Sequence, residues 1–169
     1  RDSRITTIYE GTTGIQANDL VFRKLMRDQG ATARILFGEI AATAHALSES
    51  PRADLQGIGK RLGSGLKAWV ESTEWLAANA KNGLSGVLTA AVPYLDIAVA
   101  VTGGWLMGKA ALAAAGYLEK GEGDLPFYTA KLASAAFYAD QVLPLAQARA
   151  VTVMAGDAAL AGLGDELFA

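Results

Sequence analysis

"LQGIGKRLGSGLKAWVESTEWL", residues 55–76, decides the fold. Leu55, Ile58, Leu62, Leu66, Trp69, Thr73 and Leu76 fall three or four positions apart. That spacing draws one continuous stripe down an α-helix of 3.6 residues per turn. Gly57, Gly59, Gly63 and Gly65 interrupt it, and each weakens a helix by about 1 kcal/mol relative to alanine. The stretch stays helical only if a neighbouring backbone comes close enough to need the missing Cβ. The same glycines do not make a dinucleotide fingerprint, because no strand precedes them.

Working outward, the apolar pattern and the breakers give further helices. Ile15, Leu20, Val21, Leu25 and Met26 predict a first helix over 14–29, with Thr13 able to cap it and Gly30 to end it. Ile35, Leu36, Ile40 and Leu47 predict a second over 31–48, closed by Ser50 and Pro51. Pro51 is also read as opening the third helix, where a missing N–H costs nothing. Asn82-Gly83 stops the third helix. A fourth is expected over 85–120, bent near Pro93, followed by a turn at residues 121–124. A fifth runs from Leu125-Pro126 to Ala155 with Pro144 inside it, and residues 156–169 are expected to hold a short helix and a frayed end. Residues 5–8 are the one strand-like piece. The expected fold is all-α: an antiparallel four- to five-helix bundle preceded by a short loop-helix segment. Residues 1–30 differ in kind, being polar and rich in Thr, Arg and Asp, so a division at Gly30 into 1–30 and 31–169 is expected.

Composition excludes several classes. The 169 residues suit one ordinary domain. At 51% hydrophobic and 19% charged, the chain is not disordered. A net charge of −2 offers no footprint for nucleic acid. With no cysteine and one histidine, disulfides, thiol catalysis and multi-histidine metal sites are out, and no metal is expected. His45 reads as a partly exposed bundle residue, Trp69, Trp75 and Trp105 as core or interface anchors, and Lys67, Glu71 and Glu74 as a wet helix face. Residues 84–118 are the most apolar region. Asp96, Lys109 and Pro93 within them favour a buried helix over a membrane span. The chain opens on Arg1 without a signal-like segment, reads as a piece of something longer, and is expected to be cytoplasmic.

The segment before the first helix carries the chemistry. "RDSRITTIYEGTTGIQANDLVFRKL", residues 1–25, contains Tyr9-Glu10-Gly11-Thr12 and then Ile15-Gln16. Alone, Glu10 would pass for a surface acid near a helix N-terminus. The whole segment resembles the end of the catalytic domain of the flavin-dependent acyl-CoA dehydrogenases. There a Tyr-Glu-Gly-Thr turn is followed two or three residues later by an Ile-Gln pair opening a helix. Residues 31–169 resemble, less specifically, the extra C-terminal helical domain of larger members.

The resemblance implies roles residue by residue. Glu10 would be the base that removes the α-proton of an acyl-CoA thioester, its basicity raised by burial. Its backbone N–H would donate to the thioester carbonyl. Tyr9 would line the substrate cavity, and Gly11 would let the backbone turn closely. Thr12 and Gln16 would contact FAD, the latter from a first helical turn whose free N–H groups favour phosphate. Some members place the base on another helix, and a glutamate at position 10 argues against that here. The implied partners are acyl-CoA, an electron-transfer acceptor and a second copy in a homo-oligomer, with no nucleic acid and no membrane span. Since this chain supplies at most one wall of a flavin site, it is expected to be inactive alone. The alternative is a helical interaction or oligomerisation module without catalytic role, its glycine-lined and tryptophan-bearing faces forming the contact surface.

Overall fold

A computed structural model describes Arg4 and residues 12–81 and 84–160. Among these residues the structure is helical, without strands: α1 (Thr13–Asn18), α2 (Ala31–Ser48), α3 (Ala53–Asn79), α4 (Leu84–Lys120), α5 (Leu125–Gln141) and α6 (Leu143–Ala155). The strand-like residues 5–8 lie outside the described residues. Short connections between α2, α3, α4 and α5 make successive helices reverse direction, as a bundle requires. α3 and α4 form its centre, with α2 on one side and α5 and α6 on the other.

All seven residues of the predicted α3 stripe are buried. The close backbone approach expected at its glycines occurs at Gly59, where a Cβ would lie 2.8 Å from both Ala44 O and Ser48 N of α2. Gly65 packs on Val101 and Leu143, whereas Gly57 and Gly63 face open space. The tryptophans also point inward. Trp69 meets Phe37 edge-on at 5.0 Å, Trp105 Nε1 donates to Thr43 Oγ1 of α2 at 2.9 Å, and Trp75 packs on Gly156. Gly59, Gly65 and the three tryptophans thus serve the bundle's own packing. Trp69 is the core anchor expected of it, while Trp75 and Trp105 stay half-buried. A buried polar node joins α3 to α4: Thr73 Oγ1 and the Tyr94 hydroxyl lie 2.9 Å apart, and Thr73 Oγ1 also donates to Trp69 O at 2.8 Å.

Several local expectations are corrected. The first helix is α-helical only to Asn18, continues as a π-helix over Asp19–Leu25, and closes with a 3-10 turn at Met26–Asp28. Its buried residues, Ala17, Val21 and Leu25, repeat every four. Thr12, not Thr13, occupies the capping position, and its side chain makes no capping bond. Pro51 lies ahead of α3, whose cap is Arg52. The predicted fifth helix is two, α5 and α6, parted at Val142. Pro144 would clash with the carbonyl four residues back in a continuous helix, and it fits in the first turn of a new one. Pro93, by contrast, sits inside α4, where burial of Ala90, Ala91, Tyr94 and Ile97 on either side holds the helix through it. A short 3-10 turn follows at Ala158–Leu160.

At the junction after α1, Gln29 and Gly30 take left-handed backbone with φ of 54° and 79°. Asp28 secures the start of α2 by accepting from Thr32 N at 2.9 Å, Gly30 N at 3.0 Å and the Thr32 hydroxyl. Asp124 does the same for α5, accepting from Phe127 N at 3.0 Å.

Candidate functional site

The proposed base Glu10, with Tyr9 and Gly11, lies outside the described residues. Thr12, at the cap of α1, and Gln16, within it, are described and sit one turn apart, with Gln16 N donating to Thr12 O at 2.8 Å. Both are exposed, and Ile15 beside them is 67% exposed. The opposite side of the same helix is locked in place: Ala17 and Val21 are fully buried in the bundle core. The sequence segment that carries the chemistry therefore enters the bundle with Thr12 and Gln16 turned outward.

Thr13 lines a groove of about 460 Å³ between α4, α5 and α6, with Leu95, Asp96, Val99, Tyr138, Leu145 and Arg149. Sequence reasoning did not single out this groove. Its one signal was Asp96, an acid in an otherwise apolar run, whose partner Arg149 lies far away in sequence. Their ion pair is 3.0 Å long and half-exposed, a geometry that contributes little stability in water. The Tyr138 hydroxyl donates to Ala100 O at 3.1 Å, and Gly103 supplies the clearance its oxygen needs. Burial raises the Tyr138 pKa above the ordinary phenol value, so this tyrosine is a neutral, fixed donor. The tyrosine and the arginine of the groove both have partners within the bundle.

His45 is an exposed helix residue, and Lys67 and Glu71 pair at 3.7 Å on a solvated face, as expected. Among the described residues no three of His, Cys, Asp or Glu gather in a way that would hold a metal. One helix, α4, is long and apolar enough to cross a membrane, but α3, α5 and α6 pack against it within the bundle.

A protein family described as "acetyl-CoA dehydrogenase C-terminal like" matches residues 36–163, from α2 through α6. The chain belongs to the acyl-CoA dehydrogenase C-terminal family. Among its relatives is the 3-methylmercaptopropionyl-CoA dehydrogenase of Ruegeria pomeroyi, 44% identical over 143 residues, covering 85% of this chain and 24% of the relative. Another is a broad-specificity linear acyl-CoA dehydrogenase of Mycobacterium tuberculosis, 34% identical over 159 residues, covering 86% of this chain and 25% of the relative. The chain thus spans about a quarter of the length of these curated relatives. The matched region begins within α2 and runs past α6, and residues 9–12 stand ahead of it in the sequence.

Proposed function

We propose that this chain is the C-terminal part of a flavin-dependent acyl-CoA dehydrogenase. In this reading residues 1–30 complete the catalytic site and 31–169 form the appended helical domain. The observation that carries the proposal is the join between the two. The Tyr9-Glu10-Gly11-Thr12 motif immediately precedes, in sequence, a helix anchored by Ala17 and Val21, with Thr12 and Gln16 exposed. The division at Gly30 is supported by the left-handed pair Gln29-Gly30 and by a family match that starts a few residues later, at residue 36.

The substrate class is an acyl-CoA thioester, the chemistry shared by the names of both relatives. The Glu10 carboxylate takes the α-proton, and the electron pair of that C–H bond becomes part of the α,β double bond. The backbone N–H of Glu10 donates to the thioester carbonyl as negative charge develops there. Thr12 and Gln16 fit a cofactor-holding role, because both are exposed and the Thr12 side chain spends no bond on capping. FAD held there would supply the acceptor for the β-hydrogen. The domain contributes one wall of such a site, so the isolated chain neither retains flavin nor turns over acyl-CoA.

Glu10→Gln in the full-length polypeptide tests the proposal. It keeps the shape of the side chain and removes the base. The expected result is a loss of about 10²–10⁴-fold in dehydrogenation, with flavin absorbance unchanged. Full activity in that variant would sink the assignment.

A further inference from the structure

We propose that the outward stripe of α4, together with the Thr13 groove, is the seam on which the flavin-holding body of the same polypeptide lies. This rests on the function proposed above and adds the surface through which the two parts meet.

α4 is apolar on both sides. Its inner side buries Val87, Ala90, Tyr94, Ile97 and Val101. Its outer side carries Leu88, Val92, Val99 and Leu106, spaced four, seven and seven apart, which is one straight line on a helix. These four stay exposed, Val99 at 62% and Leu106 at 56%. A helix apolar all round belongs in an interior, and an aliphatic patch of this kind marks a contact surface. The two charges on α4 between Ser85 and Glu119 do not make that side polar. Asp96 is paired with Arg149 at 3.0 Å, and Lys109 Nζ lies 4.8 Å over the ring of Trp105. Leu145 of α6, 57% exposed, extends the patch across the groove.

The connection to α1 identifies the occupant. Thr13 lines the groove, and Val99 belongs to both groove and stripe. Glu10 is three residues before Thr13, so an extended chain can carry it no more than about 11 Å away. Whatever positions acyl-CoA and flavin against Glu10 therefore has to approach the end of α1 that borders this groove. The relatives carry about three quarters of their length outside the matched part, which is enough chain to build that body. A second copy or a bilayer on the stripe would compete with it for the same ground.

The test is photocrosslinking in the full-length polypeptide carrying p-benzoylphenylalanine in place of Val99 or, separately, Leu106. The same residue in place of the exposed Gln56 on α3 serves as control. The expected result is an adduct of monomer mass joining position 99 or 106 to a peptide N-terminal to Arg1, at several times the control yield. An adduct of twice the mass would assign the stripe to a second copy and overturn the proposal. So would capture of lipid from added vesicles without the internal adduct, or a yield no higher than at Gln56. Flavin absorbance and dehydrogenation by the unmodified full-length protein test the functional reading separately, so failure of either can be told from failure of the other.

Discussion

Gly57 and Gly59 are two residues apart on one helix, and alanine at each should move stability in opposite directions. At Gly57, a Cβ would meet nothing within 4 Å. Alanine there recovers the helix propensity lost to glycine, about 1 kcal/mol, which for a chain of this length raises Tm by about 2–4 °C. At Gly59 the propensity gain is the same. The added Cβ, however, would lie 2.8 Å from Ala44 O and Ser48 N and 2.6 Å from Ser48 Oγ. Two of those three atoms are backbone of α2, so relief requires the helices to part by roughly 0.7 Å to reach normal contact. The same interface holds Ile40, Leu47, Leu55, Ile58 and Leu62 in the core, and parting the helices loosens all of them. Overpacking of this kind costs about 1–3 kcal/mol. With backbone on both sides the upper end applies, leaving a net loss of about 2 kcal/mol and a Tm lower by roughly 4–8 °C. Thermal unfolding followed by circular dichroism at 222 nm measures both variants. Gly59→Ala melting at or above the parent would refute the reasoning. Rescue of Gly59→Ala by Ser48→Ala would also refute it, because the backbone contacts should remain after the hydroxyl is gone.

Tyr94→Phe should cost about 1 kcal/mol, the usual net value of one hydrogen bond, since Thr73 keeps its bond to Trp69 O. Burial raises the Tyr94 pKa against the opposing pull of the Thr73 hydrogen bond. The parent's stability from this group is therefore present below about pH 10 and lost as pH rises beyond it. Urea titrations at pH 9 and 11 should show a shallower alkaline loss in the Phe variant, and an identical loss would reject the role. Asp28 behaves oppositely. Hydrogen bonding from Thr32 first, then from backbone N–H groups, lowers its pKa, so its contribution holds above about pH 4 and fades as pH falls. Asp28→Asn should flatten the acid limb of the melting profile, part of which Asp54 retains through Arg52. Gln16→Ala in the full-length polypeptide should weaken flavin retention by about tenfold if one hydrogen bond of about 1.4 kcal/mol is lost. Unchanged retention in equilibrium dialysis would remove Gln16 from the cofactor contacts.

The sequence by itself determined the central helices of the bundle and carries the family motif that precedes them. Both are local properties. Leu55 to Leu76 repeat with the period of the helix whatever packs against them, and Asp124 with Pro126 opens α5 from its own few residues. Local pattern was weaker where two outcomes satisfied the same chemistry. Pro93 and Pro144 are both prolines in apolar helical runs, yet α4 passes through the first and the chain parts before the second. Only the tertiary structure decided that Gly59 touches another backbone while Gly57 does not, since glycine has the same propensity at either position. It also decided that the first helix widens into a π-helix over Asp19–Leu25, and that Thr13, read in the sequence only as a possible cap, borders a groove made with residues more than eighty positions away. The side of α4 that faces inward was undecidable from its residues, because aliphatic side chains occur all round it. Neighbouring helices cover one side, and the four aliphatic residues on the other remain exposed because nothing within the bundle reaches them.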